Sequence, residues 1–185
     1  ILLERYKGLE KNTLVLDLGC GTGLLSKILA SKGFDVIGID ISLASLRLLQ
    51  QFQSRINTIQ ADATQLPFAD GSCHAVVSLG AWRHFSDTRR VIAEVARILK
   101  DDGLLIIGYF PPAIGGVVHQ SDSHWHELLV QLYQFLISKR GYEDHIDLSL
   151  EPNTLVWTKG QFKQVGTVGS GEHWRLIIAH GLRQA

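Results

Sequence analysis

The stretch that most constrains this chain is Val15-Leu16-Asp17-Leu18-Gly19-Cys20-Gly21-Thr22-Gly23, followed by Leu24-Leu25-Ser26-Lys27-Ile28-Leu29. An apolar run ends in an acid, three alternating glycines follow, and apolar residues then recur at helical spacing. A strand, a tight turn and a helix packed back on that strand satisfy this order. Glycine lets such a turn adopt positive φ and lets a ligand approach the backbone with no Cβ in the way.

The alternation continues. After the strand at 14–18 and the helix at 23–31, stopped by Gly33, a second strand is expected at 35–40, also ending in an acid. Ser42 is a candidate N-cap for a helix carrying Leu43, Leu46 and Leu49. A short strand follows at 57–61, then turn residues at 67–72 and an apolar strand at 75–79. Asp87 caps a helix through Val91, Val95, Ile98 and Leu99, and Asp101-Asp102-Gly103 reads as a turn into a strand at 104–109. Apolar strands separated by helices imply an α/β fold, a parallel sheet covered on both faces. Beyond Pro111-Pro112 the pattern changes. An amphipathic helix is expected at 124–138, irregular chain at 140–152, and strands at 162–168 and 174–179 joined by Gly169-Ser170-Gly171, a hairpin signal.

The 185 residues suit one domain, and 45% apolar content suffices for a core. Net charge is zero, so no bulk field attracts nucleic acid. Cys20 and Cys73 give no disulfide framework. No apolar stretch approaches the roughly 18 residues of a membrane span and no signal peptide opens the chain, so a cytoplasmic protein is expected. The chain opens on Ile1 and contains no methionine. It is therefore expected to be trimmed, or to have lost residues at a false junction where Cα neighbours would lie much further apart than about 3.8 Å.

The pattern D-x-G-x-G-x-G resembles motif I of the class I S-adenosylmethionine (SAM)-dependent methyltransferases. Leu24 stands where a dinucleotide fingerprint would place its third glycine. A nucleotide-fold turn serving another ligand is the plainer alternative. Leu66-Pro67-Phe68-Ala69-Asp70-Gly71-Ser72 and the segment 91–103 resemble motifs of the small-molecule branch that includes ubiquinone/menaquinone-type enzymes, the type 11 methyltransferases. The resemblance covers about 14–109. It implies a Rossmann-like seven-stranded mostly parallel sheet of order 3-2-1-4-5-7-6 with strand 7 antiparallel and helices on both faces. It further implies one domain over 1–185, with a SAM-binding core at 13–110 and an acceptor-side helix and terminal hairpin at 111–185. His74 departs from the family's usual aspartate, and Asp101-Asp102 from its Pro-Gly. About a dozen residues precede the first strand, where relatives usually carry helices over the site.

Asp40 ends the second strand about 20 residues beyond Gly19, where an acid can accept bonds from both ribose hydroxyls. The plainer role is to cap the next helix. The resemblance implies that Asp17 orients the turn and the amino group of SAM, and that the backbone at Gly19, Cys20 and Gly21 contacts it. It likewise implies that Ile41 packs on adenine, that Asp62 and the amide of Ala63 address the adenine edge, and that Ser78 completes the cofactor site.

The segment after the fourth strand is where the family meets its acceptor. Trp82 and Arg83, with Tyr109 and Trp125, are therefore candidate substrate residues, and His84 is a candidate general base because neutral imidazole is available near pH 7. Structural roles are open for each. His119, His124 and His126 fit no strong metal-ligand spacing, so no metal site is expected. The expected activity is methyl transfer from SAM, leaving S-adenosylhomocysteine (SAH), to a small-molecule acceptor, without nucleic acid or membrane insertion; a homodimer is compatible. An aminopropyltransferase using decarboxylated SAM, or a silent SAM- or SAH-binding module, are the alternatives. Trp82-Arg83-His84 argues against the former, which usually needs acids there for a polyamine.

Overall fold

The computed structural model describes residues 12–53, 55–109, 152–170 and 174–183. In chain order these form β1 (Leu14–Leu18), α1 (Leu24–Ser31), β2 (Asp35–Asp40), α2 (Leu43–Phe52), β3 (Asn57–Gln60) and β4 (Cys73–Leu79). A 3-10 turn (Trp82–His84), α3 (Thr88–Ile98), β5 (Leu99–Tyr109), α4 (Pro152–Gln161), β6 (Phe162–Ser170) and β7 (Trp174–Leu182) follow. The expected helix at 124–138 lies outside the described residues, as do Trp125, the three histidines at 119, 124 and 126, and the chain at 140–151.

The seven strands form one sheet of order β3-β2-β1-β4-β5-β7-β6. The pairs β1–β2, β1–β4, β2–β3 and β4–β5 are parallel, and β7 runs antiparallel to both β5 and β6. Period-two alternation sorts the strand side chains into two layers. Leu16, Leu18, Ile39, Val76, Leu105, Ile107, Ile177 and Ala179 face one layer with Val91, Ile92, Val95 and Ile98 of α3. Val15, Val36, Ala75, Val77, Leu104, Ile106, Leu176 and Ile178 face the other with Leu25 and Leu29 of α1 and Leu49 of α2. Helices therefore cover both faces, and the strands are buried on both sides, as a parallel sheet requires.

Local chemistry explains the helix starts. Ser42 Oγ accepts from the Ser45 amide, and an Asp87 carboxylate oxygen accepts from the Arg90 amide. The expected turn at Asp101-Asp102-Gly103 is instead part of β5. Cys73 pairs with Leu99 and Ala75 already with Leu104, so the intervening residues bulge from the ladder. Asp101 and Asp102 are exposed there, and a Cβ on Gly103 would lie 2.8 Å from the Lys100 carbonyl oxygen. Turn-forming residues thus mark an irregularity inside the strand. Gly169 and Ser170, expected in the hairpin loop, pair with Arg175 and Trp174, so β6 runs further than its sequence signal.

Candidate cofactor site

β1, β2 and β3 are parallel neighbours, so the loops following Asp17, Asp40 and Asp62 open at the same sheet edge. A cavity of about 610 Å³ lies at that edge. The size falls within the roughly 300–1,000 Å³ of small-molecule sites. Asp17, Gly19, Cys20, Gly21, Asp40, Ile41, Asp62, Ala63 and His84 all line it.

The glycine turn is held from two sides. The amides of Gly19 and Cys20 donate to the Ile39 carbonyl at 2.7 and 3.0 Å. The Gly21 amide donates to Asp40 Oδ2 at 2.8 Å, and the Ser42 amide to Asp40 Oδ1 at 2.8 Å. Asp40 therefore ties the turn to the end of β2, while each oxygen keeps a lone pair for a ligand. Gly19 has φ 72, and a Cβ there would collide with that of Ala81. Gly21 has φ 54, and a Cβ there would meet nothing within 4 Å. The first glycine permits packing between the β1 and β4 loops; the second leaves the backbone open to the cavity.

Asp17 is only 2% exposed. Its Oδ2 accepts from Ser26 Oγ at 2.6 Å. Burial pushes its carboxyl up to about 6, against the lowering effect of the Ser26 bonds. Cys20 is half-buried, and desolvation pushes its thiol well up, so it stays a neutral wall of the site. Asp62 is exposed, and its Oδ1 accepts from the amide and the hydroxyl of Thr64, both at 2.8 Å. Those bonds hold its carboxyl below the usual range. Ile41 is 69% exposed at the cavity wall, an apolar surface with no protein cover among the described residues.

Not every expected residue meets there. Ser78 is fully buried in β4, and its Oγ has no partner among the described residues; it does not line the cavity. Trp82 is 1% exposed; its ring packs edge-on against Phe85 at 5.3 Å and its Nε1 donates to Thr154 Oγ1 at 3.3 Å. Trp82 is thus a core residue at the root of the turn that presents His84 and Phe85 to the cavity. Arg83 is exposed on the same turn, outside the cavity lining. Tyr109 ends β5 opposite Arg175, and Trp125 lies outside the described residues. Leu79, Phe85, Ser86, Thr22 and Leu24 also line the cavity and were not singled out by sequence, which offers only their positions beside the motifs as a signal. His74 lies near the start of β4, outside the cavity lining, and its Nε2 accepts from Lys100 Nζ at 2.6 Å.

The two family-like segments prove to be partners. Glu94 Oε2 accepts from the Leu66 amide at 2.9 Å. Arg97 donates to the carbonyls of Leu66 and Phe68 and to the carboxylates of Asp70 and Glu94, at 2.7–3.0 Å. This clamp fixes the loop that follows Asp62 and Ala63.

Comparison with known proteins gives a consistent result. The sequence profile of a family described as a methyltransferase domain matches residues 16–107. A demethylmenaquinone methyltransferase of Renibacterium salmoninarum is 38% identical over 96 residues, 52% of this chain and 40% of that protein. The chain spans less than half the length of the demethylmenaquinone methyltransferases it matches in this way. The fold is similar to a solved putative S-adenosyl-L-methionine-dependent methyltransferase of Methanococcus maripaludis, with TM-score 0.68, 21% identity, and coverage of 100% of this chain and 85% of the other. It is also similar to a phosphoethanolamine N-methyltransferase of Haemonchus contortus solved with SAH, with TM-score 0.66, 18% identity, and coverage of 98% and 52%.

Proposed function

We propose that this chain, whose residues 16–107 match the family described as a methyltransferase domain, is a class I SAM-dependent methyltransferase acting on a small molecule. The observation that carries this reading is the convergence of Asp17, Asp40 and Asp62, from the ends of three adjacent strands, on one cavity. The donor set fits an adenosylated amino acid. Asp40 accepts from the ribose hydroxyls, and the exposed Ile41 gives adenine an apolar surface. Asp62, held by Thr64, accepts from the adenine amino group beside the Ala63 amide. Asp17 faces the ammonium, and the open backbone at Gly21 admits the chain between. When bound, the cofactor supplies an activated methyl group on a sulfonium for in-line displacement.

The protein's part is orientation and proton management. His84 lines the cavity from the 3-10 turn, which supports it as the group that accepts a proton from an acceptor. Trp82 has no part in acceptor contact, because its ring lies in the core. Arg83, Tyr109 and Trp125 remain the proposed acceptor-side residues, and 111–185 the acceptor-side half of a single domain. Among the described residues no helix is long and apolar enough to cross a membrane; a cytoplasmic location belongs to the same proposal.

The test is transfer from methyl-labelled SAM to a panel of small acceptors that includes demethylmenaquinone, the compound in the Renibacterium relative's name. Acceptor-dependent SAH formation, lost in Asp40→Ala, is expected. A protein that binds SAH and methylates no member of the panel would overturn the enzymatic reading in favour of a binding module.

A further inference from the structure

Asp17 is a buried carboxyl lining a cavity to which, among the described residues, no lysine or arginine contributes. It is 2% exposed, and the bonds it receives come from one residue, Ser26, through Oγ at 2.6 Å and through the backbone amide. Ser26 is itself fully buried on the first turn of α1. Its hydroxyl donates to Oδ2, on the carboxyl that lines the cavity.

The charged group that acts on Asp17 is Asp40, of the same sign. Cys20, with its thiol pushed up, adds no positive charge, and His84 and Asp62 are the other titratable side chains lining the cavity. A carboxylate removed from water with no cationic partner takes up a proton rather than remain charged. Burial indeed pushes this one up to about 6. A ligand cation in the cavity reverses that balance.

We propose that an ammonium-bearing ligand displaces a proton from Asp17 when it enters the cavity, and that Ser26 is the positioning residue that controls this exchange. The inference rests on the cofactor reading above. No bond is made or broken apart from the O–H of Asp17, whose proton passes to solvent as the carboxylate pairs with the ligand's ammonium. Ser26 acts twice. Its hydroxyl lowers the cost of the charged form, and its bond fixes the orientation of the carboxyl.

The experiment is calorimetric titration with SAH in pairs of buffers that differ in ionisation enthalpy, which counts protons released per ligand bound. At about pH 5 the wild-type protein is expected to release close to one proton, and at about pH 8 close to none. Ser26→Ala, which removes the hydroxyl bond, moves the midpoint of this profile to higher pH; Ser26→Thr restores it. Asp17→Asn abolishes the release and weakens binding. SAH binding with no proton release at any pH would overturn this inference and leave the cofactor reading standing. A release profile unmoved in Ser26→Ala would overturn the role of Ser26. Failure of the wild-type protein to bind SAH at any pH would overturn the cofactor reading, and this inference with it.

Discussion

Asp17 shows how one residue couples site and stability. Burial pushes its carboxyl up to about 6, from the ordinary carboxylate value of 3.8. Between those values the folded chain holds a proton that the unfolded chain has lost, so this group's contribution is fully present at low pH and is lost as pH rises through about 6. A shift of that size amounts to roughly 2–3 kcal/mol. Asp17→Asn should therefore gain stability relative to wild type by about that amount between roughly pH 4 and pH 7, measured by urea unfolding. Parallel stability curves would contradict the assignment. Gly19 makes a second point at this scale. Its φ of 72 and the adjacent Cβ of Ala81 leave no room for a side chain. Gly19→Ala should lower the unfolding midpoint and abolish SAH binding, whereas a variant that binds normally would show that the turn yields. Both residues were legible because acids and glycines ending an apolar run have few other uses. Ser78 and Trp82 were not. In Val76-Val77-Ser78-Leu79 both faces of β4 are buried, so the sequence does not say which neighbour lines the cavity.

Among the elements, those defined by strong local chemistry were readable and those defined by packing were not. β2 ends at its acid and β1 one residue beyond its own, and Ser42 and Asp87 cap the helices they precede. α4 gave no such signal beyond Pro152. Its buried residues include Thr154 and Thr158, while Val156 is 64% exposed, so its polarity pattern runs against its burial. Thr154 is buried because it accepts from Trp82, a partner far away in sequence. The clamp between α3 and the loop after β3 depends on equally distant partners. Arg97→Ala removes five hydrogen bonds. With the side chain about one-third exposed, the expected cost is roughly 2 kcal/mol. Arg97→Lys should recover less than half, because an ammonium cannot fork between two carboxylates and two carbonyls. Equal stability of Arg97→Ala and wild type in thermal unfolding would show that solvent replaces the clamp.

For the whole molecule, the sheet order followed from the family resemblance rather than from the strands themselves. β1, β2, β4, β5 and β7 are each apolar enough to sit at the centre, so their mutual order has no local signal, and the Gly169-Ser170-Gly171 signal marks the antiparallel end. That order brings Asp17, Asp40 and Asp62 to one edge and keeps the β5 bulge, at that strand's opposite end, away from the cavity. If this edge holds an adenosylated amino acid, as proposed, calorimetric titration of the protein with SAH, beside Asp40→Ala, gives micromolar binding to the wild-type protein and a loss of roughly 10- to 100-fold in the variant, the worth of one or two charge-assisted bonds. Equal affinity in the two proteins, or no binding to the wild-type protein, would contradict it.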